Sequence, residues 1–320
     1  MPIIQNIDYK PSLLCRNGHV NTLYPYFSRK GPFPNYSRKQ IETKDNDFLD
    51  LDYLKANNNK LIILCHGLEG SSQSQYIRGT ASLFHEHHWD VLAMNYRGCG
   101  GSPNRQLRQY HSGATEDLHT IITPHLKDYE EIVLVGFSLG GNLVLKYAGD
   151  QVYPLDAKIK KVIAISSPID LAAGAQEILK AKNYVYHREF MKCLMGKARI
   201  KQKLFPQDIK ESDLNQVKNL IDFDDKFTGP IHGFRSAQDY YAQCNSIQFL
   251  QNIQIPALII NAEDDPFLPK ECYPFQKAKE SKFVHLMVPK YGGHVGFMTA
   301  GSKYYWDEHK ILDFAENRAI

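Results

Sequence analysis

The chain is predicted to be an α/β protein in which a mostly parallel sheet carries helices on both faces. Three features of the sequence point there. Short, almost wholly apolar runs of strand length recur at 61–65, 91–95, 132–135, 162–165, 257–260 and 284–288, as expected of strands buried on both faces. Helix-length segments fall between most of them, at 76–87, 114–126, 139–149 and 270–279, and a last one at 303–317 closes the chain. Strand alternating with helix gives a parallel sheet. Finally, Gly136-Phe137-Ser138-Leu139-Gly140 joins a strand-like run directly to a helix-like one.

The first two strand candidates, 38–43 and 48–54, flank the turn-rich Lys44-Asp45-Asn46-Asp47. In the second, Phe48, Asp50 and Asp52 alternate with Leu49, Leu51 and Tyr53, which suits an antiparallel edge with its polarity split between faces. Between Ser167 and Ile253 no strong strand appears, and basic residues such as Lys192, Lys197 and Arg199 interleave with Tyr184, Tyr186 and Phe190. An insertion after a central strand is placed to form a lid. A plain helical packing layer with a solvated basic face is the alternative. The expected organisation is one domain over 1–320 with a helical cap at about 168–250.

With 320 residues and 43% hydrophobic content, the chain can bury a large core. A net charge of +3, with no zinc-finger spacing and no basic repeat, argues against nucleic acid as a partner. Six cysteines are scattered without a C-x-x-C pair and read as free thiols in a reducing compartment. Residues 1–6 lack a basic stretch followed by an apolar one, and the longest apolar runs are far shorter than a membrane span. A soluble, cytoplasmic protein is expected.

Within the 136–140 turn, glycines flank the serine because side chains there would strike the adjoining strand and helix. Ser138 is therefore the candidate nucleophile; an ordinary helix N-cap is the bland alternative. A serine hydroxyl needs a base, and histidine is the usual one because its ordinary pKa lies near neutrality. His294, in Gly292-Gly293-His294-Val295-Gly296 after the last strand, is the candidate. An acid must then fix the imidazole's tautomer. Asp264 and Asp265 compete in the loop after 257–260; counting back four residues from Pro269 favours Asp265. Backbone N–H groups of Leu139, after the nucleophile, and Leu68, in His66-Gly67-Leu68-Glu69-Gly70, are the candidate oxyanion donors. His66 reads as a loop organiser.

The order Ser, Asp, His is that of α/β-hydrolases, and the chain resembles the YheT-like branch of that superfamily. The resemblance runs almost end to end. It is carried by Arg16-Asn17-Gly18-His19-Val20-Asn21-Thr22, by His66 to Ser71, by Asn95-Tyr96-Arg97-Gly98-Cys99-Gly100-Gly101-Ser102-Pro103-Asn104, and by Tyr110-His111-Ser112-Gly113-Ala114-Thr115-Glu116-Asp117, besides the turn and loops of Ser138, Asp265 and His294. It implies an α/β-hydrolase fold, an eight-stranded, mostly parallel sheet with a helical cap, and esterase or lipase-like hydrolysis of acyl esters. Arg97, Tyr110 and His111 belong to these motifs without being triad members, and are expected to organise loops around the site.

Other patterns carry less. His85-Glu86-His87-His88 ends an amphipathic helix and reads as a polar terminus, not a metal site. Gly98 to Ser102 lacks the Gly-Lys-Ser/Thr of a phosphate loop. Asp224 and Asp225 read as loop or capping residues before a calcium pair. No cofactor and no metal are expected. The leading function is a serine carboxylesterase acting on a small-molecule ester. A lipase or phospholipase in peripheral contact with a membrane is the second reading. A non-catalytic binding protein on this fold is the third. Nothing in the sequence sets the oligomeric state.

Overall fold

The computed structural model describes residues 2–29, 31 and 33–320; Met1 of the N-terminal hexapeptide lies outside them. The strands are β1 (Ile3–Ile4), β2 (Ser37–Glu42), β3 (Phe48–Leu54), β4 (Lys60–Cys65), β5 (Asp90–Asn95), β6 (Glu131–Phe137), β7 (Ile159–Ile165), β8 (Ala257–Ile260) and β9 (Val284–Met287). They form one sheet in the order β1-β9-β8-β7-β6-β4-β5-β3-β2. The strands from β5 through β1 pair in parallel, whereas β3 pairs antiparallel with both β5 and β2. Among the described residues the sheet thus has nine strands, not the expected eight. The extra one, β1, sets Ile3 opposite Leu286, and two residues are too few to show a period.

Apolar side chains explain the layering. Leu64, Val91 and Val135 point to one face, where they meet Ile77 and Phe84 of α2 (Gln75–Glu86, following α1 at Gly18–Ser28) and Ile311 of the last helix. Leu61, Leu92 and Leu134 point to the other, against Leu118 of α3 (Thr115–His125) and Leu143 of α4 (Leu139–Gly149). The polar side of β3 is not solvated as its alternation suggests, because every residue of that strand is buried. Asp52 there accepts hydrogen bonds from Arg38 (2.7 and 2.8 Å), Ser72 (2.5 Å) and Asn95 (3.0 Å). Burial opposes ionisation, but these donors hold its carboxyl below the usual value.

Two helices differ from expectation. The segment expected at 270–279 splits into a 3₁₀ turn, Lys270–Cys272, and a short helix, Phe275–Glu280. Pro274 stands between them and cannot donate into a continuing helix. The last helix runs only Trp306–Ala315, and Glu308 in its first turn accepts the Tyr305 N–H at 2.9 Å, which marks its start.

Between β7 and β8 the chain leaves the sheet through α5 (Leu171–Ile178) and α6 (Tyr184–Leu204), then shorter helical pieces up to Asn252. This insertion has its own core around Leu194, Phe223, Phe227 and Tyr240. No helix among the described residues is long and apolar enough to cross a membrane.

Candidate active site

β6 ends at Phe137 and α4 begins at Leu139, so Ser138 alone makes the turn. Its φ of 52° and ψ of −119° are strained for a non-glycine residue. The flanking glycines make the turn possible: a Cβ on Gly136 would lie 2.0 Å from the Gly140 carbonyl oxygen, and one on Gly140 would lie 2.3 Å from that of Cys65. The Ser138 N–H is anchored on the Ile165 carbonyl at 2.8 Å.

His294 reaches this hydroxyl from the loop after β9. Its Nε2 lies 2.9 Å from Ser138 Oγ, and its Nδ1 lies 2.9 and 3.1 Å from the Asp265 carboxylate oxygens. Asp265 also accepts the Phe267 N–H at 2.9 Å, which fixes its carboxylate toward the ring. Asp264 faces elsewhere and accepts the Gly293 N–H at 2.9 Å. Burial pushes the Asp264 carboxyl up to about 6; the Gly293 N–H opposes this and the Asp265 charge adds to it. Ser138, Asp265 and His294 are thus brought together, and Asp264 supports the histidine loop from beneath.

That loop is held by residues the sequence did not single out for the purpose. Thr22 Oγ accepts the His294 N–H at 2.9 Å, and Ser166 Oγ accepts the Val295 N–H at 3.0 Å. Thr22 belongs to the Arg16–Thr22 motif, and through it α1 packs on the His294 loop. Phe267 lies against the imidazole (ring centroids 4.3 Å), and Tyr186 of α6 lies against Phe267 (4.7 Å).

The loop after β4 lies beside the serine, where a Cβ on Gly67 would sit 3.1 Å from Ser138 Cβ. His66 organises it. Its Nδ1–H donates to the Gly67 carbonyl (2.7 Å), while Nε2 accepts the Tyr96 N–H (3.2 Å). Burial pushes this ring down to about 3, so it stays neutral. The N–H groups of Gly67, Glu69 and Gly70 are taken by Tyr76 Oη (3.0 Å), Tyr110 Oη (2.9 Å) and the Gly67 carbonyl (3.0 Å). Tyr110 Oη donates back to Glu69 Oε1 at 2.6 Å, and Lys197 of α6 reaches the same oxygen at 2.9 Å. Arg97 ties neighbouring loops together through Asp117 (2.8 Å at both nitrogens) and Asp45.

A cavity of about 110 Å³ opens beside Ser138 and His294. Leu68 and Leu139 line it from the sheet side, and Leu171, Phe190, Leu194 and Phe223 line it from the insertion. Among the described residues, no group of three or more His, Cys, Asp or Glu gathers to hold a metal. Asp224 instead accepts the hydroxyls of Thr228 and Tyr241, both at 2.6 Å, and Asp225 accepts the Ala237 N–H at 3.0 Å.

Comparison with known proteins agrees with this architecture. A family model described as the alpha/beta hydrolase fold matches residues 60–300. YheT of Escherichia coli (strain K12) is 34% identical over 312 residues, spanning 93% of this chain and 90% of its own. Human phospholipase ABHD3 is 28% identical, spanning 91% of this chain and 73% of its own. Human monoacylglycerol lipase ABHD2 is also 28% identical, spanning 96% and 79%. Among solved structures, the Pyrococcus furiosus esterase PF2001 superposes with a TM-score of 0.60 over 89% of this chain and 92% of its own at 18% identity, a likeness of fold. The Ser138 turn, the sheet order and these matches together make this chain a member of the α/β-hydrolase superfamily, in its YheT-like branch, and so a hydrolase.

Proposed function

We propose that the chain is a serine carboxylesterase that cleaves short acyl esters through an acyl-enzyme. The observation that carries this reading is the continuous hydrogen-bonded line Ser138 Oγ, His294 Nε2, His294 Nδ1, Asp265. In this mechanism Ser138 Oγ attacks the ester carbonyl carbon and its proton passes to His294 Nε2. Asp265 keeps the other ring proton on Nδ1 and balances the imidazolium charge. The oxyanion is received by the N–H groups of Leu68 and Leu139. Leu68 is the residue whose neighbours' N–H groups are already bonded, and Leu139 opens α4, where first-turn N–H groups have no helical acceptor. Each such donor is worth roughly 3 kcal/mol in the transition state. His294 then protonates the departing alcohol. A water, deprotonated by the same nitrogen, attacks the acyl carbon and releases the acid.

The insertion acts as a cap that shapes the acyl site. The cavity beside Ser138 is walled mostly by apolar side chains such as Leu68, Leu171, Phe190 and Leu194, a lining that suits an acyl chain. Six free cysteines suit a reducing, cytoplasmic setting.

A fluorophosphonate probe and a panel of p-nitrophenyl esters test the assignment. Labelling at Ser138, turnover of the short acyl esters, and loss of both labelling and turnover in Ser138→Ala are expected. Unchanged hydrolysis by Ser138→Ala sinks the mechanism.

A second reading, a lipase or phospholipase working at a lipid surface, has one observation of its own. Leu13, Leu14, Tyr26 and Phe27 are each at least 70% exposed, and they sit on or just before the helix that packs on the His294 loop. ABHD3 and ABHD2, the phospholipase and monoacylglycerol lipase among the relatives, agree with it. Activity that climbs steeply once substrate aggregates marks this reading, and a smooth saturation curve excludes it.

A further inference from the structure

The cavity beside Ser138 is largely apolar, but one side chain in its wall has an unused donor. His111 is 7% exposed and lines the same cavity as Ser138 and His294. Its ring is boxed by His232 (centroids 4.6 Å), Phe234 (5.4 Å, edge-on) and Tyr240 (5.8 Å, edge-on). Tyr240 also receives the Ser112 N–H at 2.9 Å, so the box is tied to the backbone next to His111. The Gly113 N–H donates to His111 Nδ1 at 3.2 Å, which makes that nitrogen an acceptor. Burial, reinforced by the neighbouring His232 and nearby cations, pushes the ring's pKa well down, so the imidazole is neutral. Its single proton therefore resides on Nε2. No described residue accepts that proton, and Nε2 is not among the polar atoms sealed unpartnered in the interior. Nε2 therefore keeps accessible surface, and the open space that His111 lines is the cavity of Ser138.

The position is close to the chemistry. Asn142, one helical turn along α4 from Ser138, donates to the Ser112 carbonyl at 3.0 Å. The His111–Ser112 segment thus lies against α4 about one helical turn from the nucleophile, and His111 and Ser138 line the same cavity.

We propose that His111 Nε2–H is a specificity-determining donor, and that the preferred substrate carries a second acceptor oxygen, a ketone or ether, a few bonds from the scissile ester. This rests on the esterase reading above and narrows its substrate class. A plain alkyl ester leaves the donor desolvated and unpaired, whereas an oxygen at that point satisfies it. Buried polar groups of this kind reject the analogue that lacks the partner far more sharply than an apolar wall rejects a changed methyl group.

Two isosteric pairs test it. On the acyl side, p-nitrophenyl 4-oxopentanoate is compared with p-nitrophenyl 4-methylpentanoate. On the alcohol side, the butyrate ester of hydroxyacetone is compared with isobutyl butyrate by acid release. The wild-type enzyme is expected to favour the oxygen-bearing member of one pair by about tenfold or more in kcat/KM. His111→Phe, which keeps the ring and removes the donor, should bring that ratio near one, and His111→Gln, which restores a donor, should recover part of it. Because each ratio is internal to one protein, a general loss of fold or activity does not imitate the effect. Ratios near one in the wild-type enzyme for both pairs, with Ser138-dependent hydrolysis intact, overturn the inference and leave the esterase standing. A preference that survives in His111→Phe overturns it as well. Failure to hydrolyse any of the four esters or to label Ser138 removes both.

Discussion

Lys197→Met removes the ammonium by which α6 grips the loop after β4. In the native protein Glu69 Oε1 takes two donors, Lys197 Nζ at 2.9 Å and Tyr110 Oη at 2.6 Å, while Tyr110 Oη accepts the Glu69 N–H at 2.9 Å. The Glu69 side chain is 6% exposed and that of Lys197 is 23% exposed, so water can replace the lost charge only in part. Breaking a fully buried pair costs ~3–5 kcal/mol. Partial exposure of the lysine and the surviving Tyr110 bond reduce this to about 2 kcal/mol here. Glu69 also sits at a φ of 55°, so a released loop relaxes toward ordinary backbone and carries the adjoining Leu68 N–H with it. Outright loss of one oxyanion donor lowers kcat by ~10²–10³-fold. A donor displaced but still present should cost about 10–30-fold in kcat, with KM changed less than about twofold, since the ester's ground state gains little from the oxyanion donors. Steady-state kinetics on p-nitrophenyl butyrate read this out. Lys197→Arg, which can still reach the carboxylate, should restore most of the rate. A Lys197→Met enzyme with kcat within twofold of wild type, at a lowered melting temperature, would show that the bond stabilises the cap and has no hold on the oxyanion loop.

Two other expectations follow from packing and charge. Gly140→Ala places a Cβ 2.3 Å from the Cys65 carbonyl oxygen and 2.7 Å from that of His66, both backbone atoms that cannot swing aside. A loss of roughly 1–3 kcal/mol in stability is expected by denaturant unfolding, together with reduced fluorophosphonate labelling; an unchanged midpoint and labelling rate refutes the close-approach account of the Ser138 turn. Asp264, whose carboxyl is pushed up to about 6 mainly by burial, makes the folded chain bind more protons than the unfolded one between about pH 4 and 6. Its contribution to stability therefore falls as pH rises through that window. Asp264→Asn keeps an oxygen for the Gly293 N–H and removes the charge, so it should raise the melting temperature at pH 7 and leave it little changed at pH 4. A difference of equal size at both pH values contradicts the assignment.

Much of the site is local in the chain and hence visible in it. The Ser138 turn is legible in five residues: Gly136 is demanded by atoms four and five positions on, at Gly140 and Gly141, while Gly140 answers to the carbonyls of Cys65 and His66 at the end of β4, the strand beside β6 in the sheet. The parallel strands announced themselves because both faces of each had to be apolar. What escaped had no such pattern. α1 buries Gly18, Asn21 and Pro25 while Tyr24, Tyr26 and Phe27 are exposed, the reverse of the amphipathic stripe by which helices are recognised. The polar face of β3 looks like a solvated edge until Arg38, Ser72 and Asn95 are seen to close over Asp52. Pro274 interrupts the helix expected at 270–279, the ordinary effect of a residue with no N–H to donate.

The amino-acid sequence by itself determined the alternation of strand and helix, the serine turn, and a short set of partners in the order Ser, Asp, His. Periodicity and turn chemistry act between near neighbours, so they survive reading along the chain. The fold alone decided that His294 meets Asp265 while Asp264 turns away to Gly293, that Thr22 holds the histidine loop, that Lys197 crosses from the insertion to Glu69, and that His111 lines the cavity. Adjacent residues send their side chains in different directions, and which one meets a group many positions distant is settled by how whole layers pack.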